Sequence, residues 1–153
     1  MSRILVLDSS PLGLLTHPQR TADVIEISDW VSAALRRGSR ILVPAIIYYE
    51  LKRELLRARK ESGIRRLDAF TDAVPGRYLP LTDEALRLGA ELWARSRQAG
   101  RATAHPEAID IDAMLAAQAL SCGVALYNVV VVTTNPKHLS QFVATMHWKE
   151  WIS

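Results

Sequence analysis

The stretch Ile4-Leu5-Val6-Leu7-Asp8-Ser9-Ser10-Pro11 decides the fold class of this chain. Four apolar residues follow one another without a polar interruption and end at a carboxylate. A short continuous apolar run is typical of a strand buried on both faces, as in a parallel sheet covered by helices. Asp8 would then lie at the carboxyl end of the strand, at the edge where open α/β sheets bind their ligands.

Apolar strand patterns alternate with helical patterns along the rest of the chain. The predicted strands after the first cover residues 40–43, 78–81, 127–134 and, at an edge of the sheet, 147–151. The predicted helices cover residues 21–37, 45–60, 64–74 and 82–98, followed by one that starts at Ala113. Breaks are expected at Ser62-Gly63 and in the polar segment 100–107. This alternation predicts an α/β fold in which helices cover both faces of a parallel sheet.

The length and composition of the chain limit the classes of protein to which it can belong. Its 153 residues suit one domain, which we expect to span residues 1–153. No apolar run approaches the roughly 18 residues of a membrane span. The single cysteine, Cys122, excludes an intramolecular disulfide and a cysteine-rich zinc site. Because the first strand follows the N-terminus without a leader pattern, we expect no signal peptide and a cytoplasmic location.

The chain is mildly basic, with a net charge of +3 and a pI of about 9.3. Two stretches concentrate the cations: residues 52–66 and residues 95–101. Clusters of this kind favour polyanionic partners. The alternative is that both are simply the solvated faces of helices.

Carboxylate and amide side chains occur at several predicted element boundaries next to apolar sequence. They are Asp8, Glu50, Asp112 with Asp110 beside it, and Asn135. The carboxyl ends of parallel strands meet at one edge, so Asp8 and Asn135 are expected to be neighbours there. Clustered carboxylates raise one another's pKa unless a cation lies between them. Oxygen ligands without histidine or cysteine suit Mg²⁺ or Mn²⁺, which can activate water and neutralise charge on a phosphate.

Each of these residues also has a purely structural interpretation. Asp8 could be a turn residue or a helix N-cap, and Asn135 could be a turn residue before Pro136. Asp110 and Asp112 could cap a helix and interact with its dipole. Glu50 is the hardest to explain in this way, because it follows the apolar run 45–49. The joint occurrence of these residues favours a site.

Four segments, taken in order, carry a resemblance to a known family. They are Leu7-Asp8-Ser9-Ser10, Ile46-Ile47-Tyr48-Tyr49-Glu50-Leu51, Asp112-Ala113-Met114-Leu115-Ala116-Ala117-Gln118-Ala119, and Val132-Thr133-Thr134-Asn135 followed by His138-Leu139. In this order and spacing the chain resembles the PIN domain, and specifically the VapC-like toxin ribonucleases of bacterial toxin–antitoxin pairs. The resemblance covers nearly the whole chain.

The resemblance implies a PIN-like three-layer α/β/α fold with a mainly parallel five-stranded sheet. It also implies a Mg²⁺- or Mn²⁺-dependent endoribonuclease whose metal ligands are Asp8, Glu50 and Asp112. Asn135 matches the fourth catalytic position, and Ser10 and Thr133 match supporting residues. Many members of the family form homodimers and are silenced by an antitoxin protein, so both partners are expected here, together with an RNA substrate.

The chain departs from the family pattern at three places. Asp110 is an extra acid that could support the site or replace Asp112 as the third ligand. Asn135 brings one negative charge fewer than an aspartate, which should weaken any second metal site. His138-Leu139 stands where an acidic–aromatic pair is usual.

Three hypotheses of different classes follow. The first is the metal-dependent ribonuclease, with Lys52, Arg53 and Arg57 on the RNA backbone and a corresponding sensitivity to salt. The second is a non-catalytic RNA-binding or scaffold domain, although unneeded clustered acids would be destabilising.

The third is a phosphoryl-transfer or signalling domain, and the sequence weighs against it. Ser10 replaces the second aspartate of a haloacid-dehalogenase-like phosphatase. No acidic pair of a receiver domain precedes Asp8, although Lys137 follows the last core strand. A phosphate-binding Gly-x-x-x-x-Gly-Lys loop is absent.

Overall fold

The computed structural model describes residues 2–100, 106–123, 125 and 128–150. Its strands are β1 Ile4–Leu7, β2 Arg40–Pro44, β3 Tyr78–Leu79, β4 Val129–Val132 and β5 Thr145–Met146. Its helices are α1 Ser9–Leu15, α2 Ala22–Arg36, α3 Ala45–Arg57, α4 Glu61–Asp72, α5 Asp83–Gln98, α6 Pro106–Leu120 and α7 Pro136–Leu139, and a 3₁₀ turn covers Trp148–Glu150.

The five strands form one sheet in the order β3-β2-β1-β4-β5, and every neighbouring pair is parallel. The predicted fold class is therefore confirmed, and the sheet is parallel throughout. β1 lies at its centre, with β2 on one side and β4 on the other. The chain winds outward in opposite directions from β1, so a crevice is expected at the carboxyl ends of β1 and β4.

The central strands are buried because helices pack on the sheet. All residues of β1 and β4 are buried, as expected for apolar strands without a polar face. α6 packs against β4, β2 and α5, and α3 packs against α1, α4 and α6. This packing brings the N-terminal part of α3 and the middle of α6 to the carboxyl edge of the sheet.

Several predicted helix boundaries are confirmed by their caps. The hydroxyl oxygen of Thr21 accepts a hydrogen bond from the Val24 N–H at 3.3 Å, and that of Thr82 accepts one from the Ala85 N–H at 3.1 Å. Gly38, after α2, has a φ of +85°, a left-handed conformation that glycine adopts without strain. Short polar side chains and glycine therefore marked these boundaries correctly.

Three predicted boundaries are wrong. Ser62-Gly63 is not a break but part of α4, because the chain turns earlier, at Arg59, with a φ of +55°. α6 begins at Pro106, so Asp110 and Asp112 lie inside a helix and do not cap one. Residues 147–151 are not a strand: β5 precedes them, and Trp148 is buried within a 3₁₀ turn, while residue 151 lies outside the described residues.

Among the described residues, no helix combines the length and the apolar character needed to cross a membrane.

Candidate active site

Asp8 joins the central strand to the first helix. It follows β1 and is the N-cap of α1: its Oδ1 accepts a hydrogen bond from the Ser9 N–H at 2.7 Å. Its own N–H donates to the carbonyl oxygen of Val132 at 2.9 Å, which extends the pairing of β1 with β4. The carboxylate is therefore held at the crevice between the two strands.

Thr133 fixes the second oxygen of the same carboxylate. Its hydroxyl donates to Asp8 Oδ2 at 2.8 Å and accepts a hydrogen bond from the Asn135 N–H at 3.1 Å. The side chain of Thr133 is fully buried, and that of Asn135 is exposed. Thr133 thus orients Asp8, and Asn135 lies at the rim of the crevice as the sequence predicted.

Glu50 reaches the site from α3. Burial raises the pKa of the Glu50 carboxyl, and the charge of Asp8 raises it further. Hydrogen bonding by Ser9 and the charge of Arg53 partly oppose this. Oε2 of Glu50 is buried and has no hydrogen-bond partner among the described residues. A buried acceptor without a donor costs free energy, so this oxygen is available to a cation.

Asp112 completes the acidic cluster from α6. Burial raises the pKa of its carboxyl from 3.8 to about 7, with further contributions from the charges of Asp8 and Glu50. The structure therefore brings together the three acids that the sequence singled out. The three carboxylates repel one another, and a divalent cation bound between them would relieve this repulsion.

Asp110 lies elsewhere. Its exposed side chain lines an apolar groove between α5 and α6, beside Leu86, Trp93 and Met114. The repulsion that raises the pKa of Asp112 comes from Asp8 and Glu50. Of the two candidates left open by the sequence, Asp112 is the one placed with the other acids.

Ser9 has the position that the sequence interpretation assigned to Ser10. Its N–H holds Asp8 and it lies near Glu50, whereas the side chain of Ser10 is exposed. No local pattern separates the two serines, because the difference depends on the direction in which each side chain leaves α1. Gln118 is a second residue that the sequence interpretation did not single out: its buried amide bonds to the backbone of Ile46 and Leu79.

The donor set of the cluster matches a hard divalent cation, since it offers carboxylate oxygens and no nitrogen or sulfur. In their present arrangement, no three His, Cys, Asp or Glu side chains of the described residues are placed to hold a metal ion together. The carboxylates repel one another, so a cation would have to draw them together. The unpartnered oxygen of Glu50 and the raised pKa of Asp112 are the two observations that fit such an ion.

The three basic residues predicted to bind RNA differ in their surroundings. Lys52 Nζ donates to both oxygens of Asp68, at 2.9 and 2.7 Å. Arg57 pairs with Glu54 at 2.9 Å, but both side chains are largely in solvent. Arg53 lies with its guanidinium carbon 5.2 Å from the ring centroid of Tyr49. Lys52 is thus part of a link between α3 and α4, whereas the two arginines stay accessible.

Comparison with known proteins decides the family. Residues 5–142 match the family model of the PIN domain. This chain belongs to the PIN-domain family. No curated protein matches the chain in sequence.

Solved structures share the fold of this PIN domain. FitAcB from Neisseria gonorrhoeae has a TM-score of 0.68 at 17% identity, and the match covers 96% of this chain and 99% of that one. VapBC-1 from nontypeable Haemophilus influenzae has a TM-score of 0.68 at 21% identity, with 96% and 99% covered. VapBC2 from Rickettsia felis, bound to a DNA fragment from its promoter, has a TM-score of 0.65 at 16% identity, with 95% and 98% covered.

Proposed function

We propose that this PIN domain is a Mg²⁺- or Mn²⁺-dependent endoribonuclease that hydrolyses RNA phosphodiesters. The observation that carries the proposal is the convergence of Asp8, Glu50 and Asp112 at the carboxyl edge of the sheet. Burial and mutual repulsion raise the pKa of two of these acids, and one oxygen of Glu50 lacks a donor. Such an arrangement costs stability in the absence of a cation, and perturbed carboxyls of this kind concentrate at functional sites.

Asp8, Glu50 and Asp112 would hold the metal ion. When bound, Mg²⁺ or Mn²⁺ supplies an activated water and neutralises charge that develops on the phosphate. Asp8 is the best-oriented ligand, because Ser9 and Thr133 each fix one of its oxygens. Each oxygen keeps a further lone pair for an ion. Thr133 also accepts a hydrogen bond from the backbone N–H of Asn135, which supports our proposal that Asn135 is the fourth member of the set.

The substrate backbone would approach along α3. Arg53 and Arg57 follow Glu50 on this helix and are accessible, and cations that contact phosphates give affinity that falls with salt. Lys52 contributes less directly because Asp68 holds its ammonium group.

We further propose that the chain is the toxin of a VapBC-like pair, with an antitoxin protein as its partner, a cytoplasmic location and a homodimeric state. Support comes from its structural neighbours, which include VapBC complexes over nearly the full length of this chain.

The test is an RNA cleavage assay with Mg²⁺, with Mn²⁺ and with EDTA. Wild-type protein is expected to cut single-stranded or structured RNA only with a metal, and Asp8→Asn and Asp112→Asn are each expected to abolish cutting while the protein stays folded. Asp110→Asn is the matched control: it removes the same charge two residues away and should retain activity. Cleavage that survives Asp8→Asn and Asp112→Asn would reject the site.

The alternative is a non-catalytic RNA-binding PIN-like domain. One observation favours it, namely that the acids do not form a closed ligand group in their present arrangement. It predicts that folded wild-type protein binds RNA but cuts none with either metal, and that Asp8→Asn leaves binding unchanged.

A further inference from the structure

The solvent-facing side of α3 carries an aromatic residue directly next to a site acid. Tyr49 precedes Glu50 in the sequence, yet its side chain is 55% exposed while Glu50 points into the acidic cluster. Large aromatic side chains normally bury most of their surface. The preceding residue, Tyr48, does so: its hydroxyl donates to Asp68 at 2.7 Å and its ring packs edge-on against Tyr78. Tyr49 instead interacts with Arg53 on the solvent-facing side of the helix.

Arg53 lies one helical turn after Tyr49 and on the same face. Its guanidinium carbon is 5.2 Å from the ring centroid of Tyr49, within the range of a cation–π contact. The charge of Arg53 also acts on Glu50, so this arginine is close to both the exposed ring and one of the site acids. Arg57 continues the basic line one turn further, with Glu54 as its exposed partner.

An exposed ring beside a guanidinium is the combination that binds unpaired bases. Nucleobases stack on aromatic rings and on the planes of arginine side chains, and the positive charge attracts the adjacent phosphates. Bases inside a duplex are already stacked on their neighbours and cannot use such a surface. A protein segment could also pack on the ring. The two arginines next to the ring are cations, however, and their charge complements a phosphate backbone more directly than it complements a protein segment.

We propose that Tyr49 and Arg53 form a stacking platform that binds one unpaired nucleobase of the RNA, with the phosphate next to this base at the acidic cluster. This inference rests on the proposed ribonuclease function and names the residues that bind a base beside the site. Stacking on the ring of Tyr49 does not depend on which base is bound. Arg53 is close to both this ring and Glu50, so the bound base would lie near the acidic cluster.

The test measures binding in the Asp8→Asn background, with EDTA, by fluorescence anisotropy of a short single-stranded oligouridine. Tyr49→Ala is expected to weaken binding about 5- to 100-fold, which corresponds to roughly 1–3 kcal/mol of base stacking at about 1.4 kcal/mol per tenfold. Tyr49→Leu should lose as much, because it keeps an apolar side chain without the ring, and Tyr49→Phe should restore the affinity. A second arm uses oligouridines in which one nucleotide is abasic, so that a base is lost and every phosphate is kept. At one position the abasic nucleotide should weaken binding to the Asp8→Asn protein. The same oligouridine should bind the protein that also carries Tyr49→Ala no more weakly than the intact oligouridine does.

The matched control is a second exposed pair of the same chemistry. Trp93 is 37% exposed and Arg97 lies 5.6 Å from its ring centroid, on α5. The groove that Trp93 lines contains Asp110 and none of Asp8, Glu50 and Asp112. Trp93→Ala is expected to leave oligouridine binding unchanged. An equal loss in Trp93→Ala and Tyr49→Ala would overturn the platform, since any exposed ring would then suffice.

Failure of this inference is separable from failure of the proposed function. Metal-dependent cleavage with unchanged oligouridine binding in Tyr49→Ala would overturn the platform and leave the nuclease standing. Tyr49-dependent binding without cleavage would uphold the platform and overturn the nuclease. Binding of a protein partner that depends on Tyr49, with oligouridine binding unaffected, would assign the surface to that partner and overturn the platform.

Discussion

Asp8 shows how one residue serves structure and chemistry together. It caps α1 with one oxygen and receives the hydroxyl of Thr133 with the other. A capping role and a place among the clustered acids are alternatives when the sequence is considered alone, and the structure shows both. The two hydrogen bonds fix the orientation of the carboxylate, whose charge acts on Glu50 and Asp112.

The repulsion among these acids makes the stability of the metal-free protein depend on pH. The pKa of Asp112 is raised from 3.8 to about 7 on folding, so between these values the folded protein binds more protons than the unfolded chain. The free energy of unfolding should therefore fall as the pH rises from about 4 to about 7, and Glu50 acts in the same direction. Because Asp112 is only half-buried, the change should be on the order of 1–2 kcal/mol.

Urea unfolding in EDTA at about pH 5 and about pH 8 measures this dependence. Asp112→Asn should flatten it and stabilise the metal-free protein at the higher pH, whereas the control Asp110→Asn should retain it. Saturating Mg²⁺ should stabilise the wild type more at the higher pH. An undiminished pH dependence in Asp112→Asn would contradict the assigned cause of the pKa shift.

Residue types and spacing were enough to single out the three acids and Asn135, and the family resemblance added Thr133. They were not enough to separate Ser9 from Ser10, or Asp112 from Asp110. Those distinctions depend on which way a side chain leaves its helix, and α6 starts at Pro106, earlier than the apolar pattern indicated. Proline at a first helical position was the overlooked signal.

Gln118 shows how elements are tied together around the site. It lies on α6 and is 1% exposed. Its Oε1 accepts the Ile46 N–H at 3.0 Å, which supplies a partner at the start of α3, where Pro44 offers no side-chain cap. Its Nε2 donates to the carbonyl oxygens of Leu79 and Pro80, at 2.9 and 3.1 Å. One amide thus joins α6, the start of α3 and the end of β3.

Gln118→Leu should therefore destabilise the protein by about 2–4 kcal/mol, since one N–H and two carbonyl groups lose a buried partner. It should also weaken Mn²⁺ binding, because α3 carries Glu50 and α6 carries Asp112. Urea unfolding and a Mn²⁺ titration measure the two effects.

Gln141→Leu is the matched control for that variant. The amide of Gln141 bonds to Ser96 and to the carbonyl oxygen of His138, away from α3. A smaller loss of stability and unchanged Mn²⁺ affinity are expected. Equal Mn²⁺ affinities in Gln118→Leu and wild type would show that this amide does not position the acids.

At the level of elements, helix caps and apolar periodicity predicted most helices. The boundaries that were predicted wrongly are those that depend on tertiary contacts. The left-handed conformation of Arg59 allows α4 to start at Glu61 although a serine and a glycine follow. β5 consists of two residues that pair with β4, and burial of Trp148 turns the next segment into a 3₁₀ turn. None of these features has a local pattern strong enough to be predicted.

At the scale of the molecule, the basic side chains differ in how accessible they are to an RNA backbone. Lys52 is engaged by Asp68, whereas Arg57 and its partner Glu54 are largely in solvent. Arg57→Ala should therefore reduce the slope of log binding constant against log salt for RNA by about 1. Lys52→Ala changes the net charge equally but should alter the slope less. Equal slopes in the two variants would mean that net charge, rather than contact, sets RNA affinity.

The parallel sheet was predictable from the continuous apolar runs, and the strand order was not. Placing β1 between β2 and β4 depends on pairing between residues far apart in the sequence, such as Leu7 with Val132. Local patterns predicted five strands, and the resemblance to the PIN family agreed with that number, although the segment predicted for the fifth strand was wrong.

The hydrogen bond between Thr133 and Asp8 spans 125 positions of the chain. During synthesis, β1 is made well before β4, so 125 further residues must follow Asp8 before its carboxylate can receive the hydrogen bond from Thr133. A nascent or prematurely terminated chain that ends before Val129 leaves one side of β1 without its partner strand, as an open edge prone to aggregation. The carboxylate of Asp8 therefore reaches its final orientation only when these two distant segments of the chain meet.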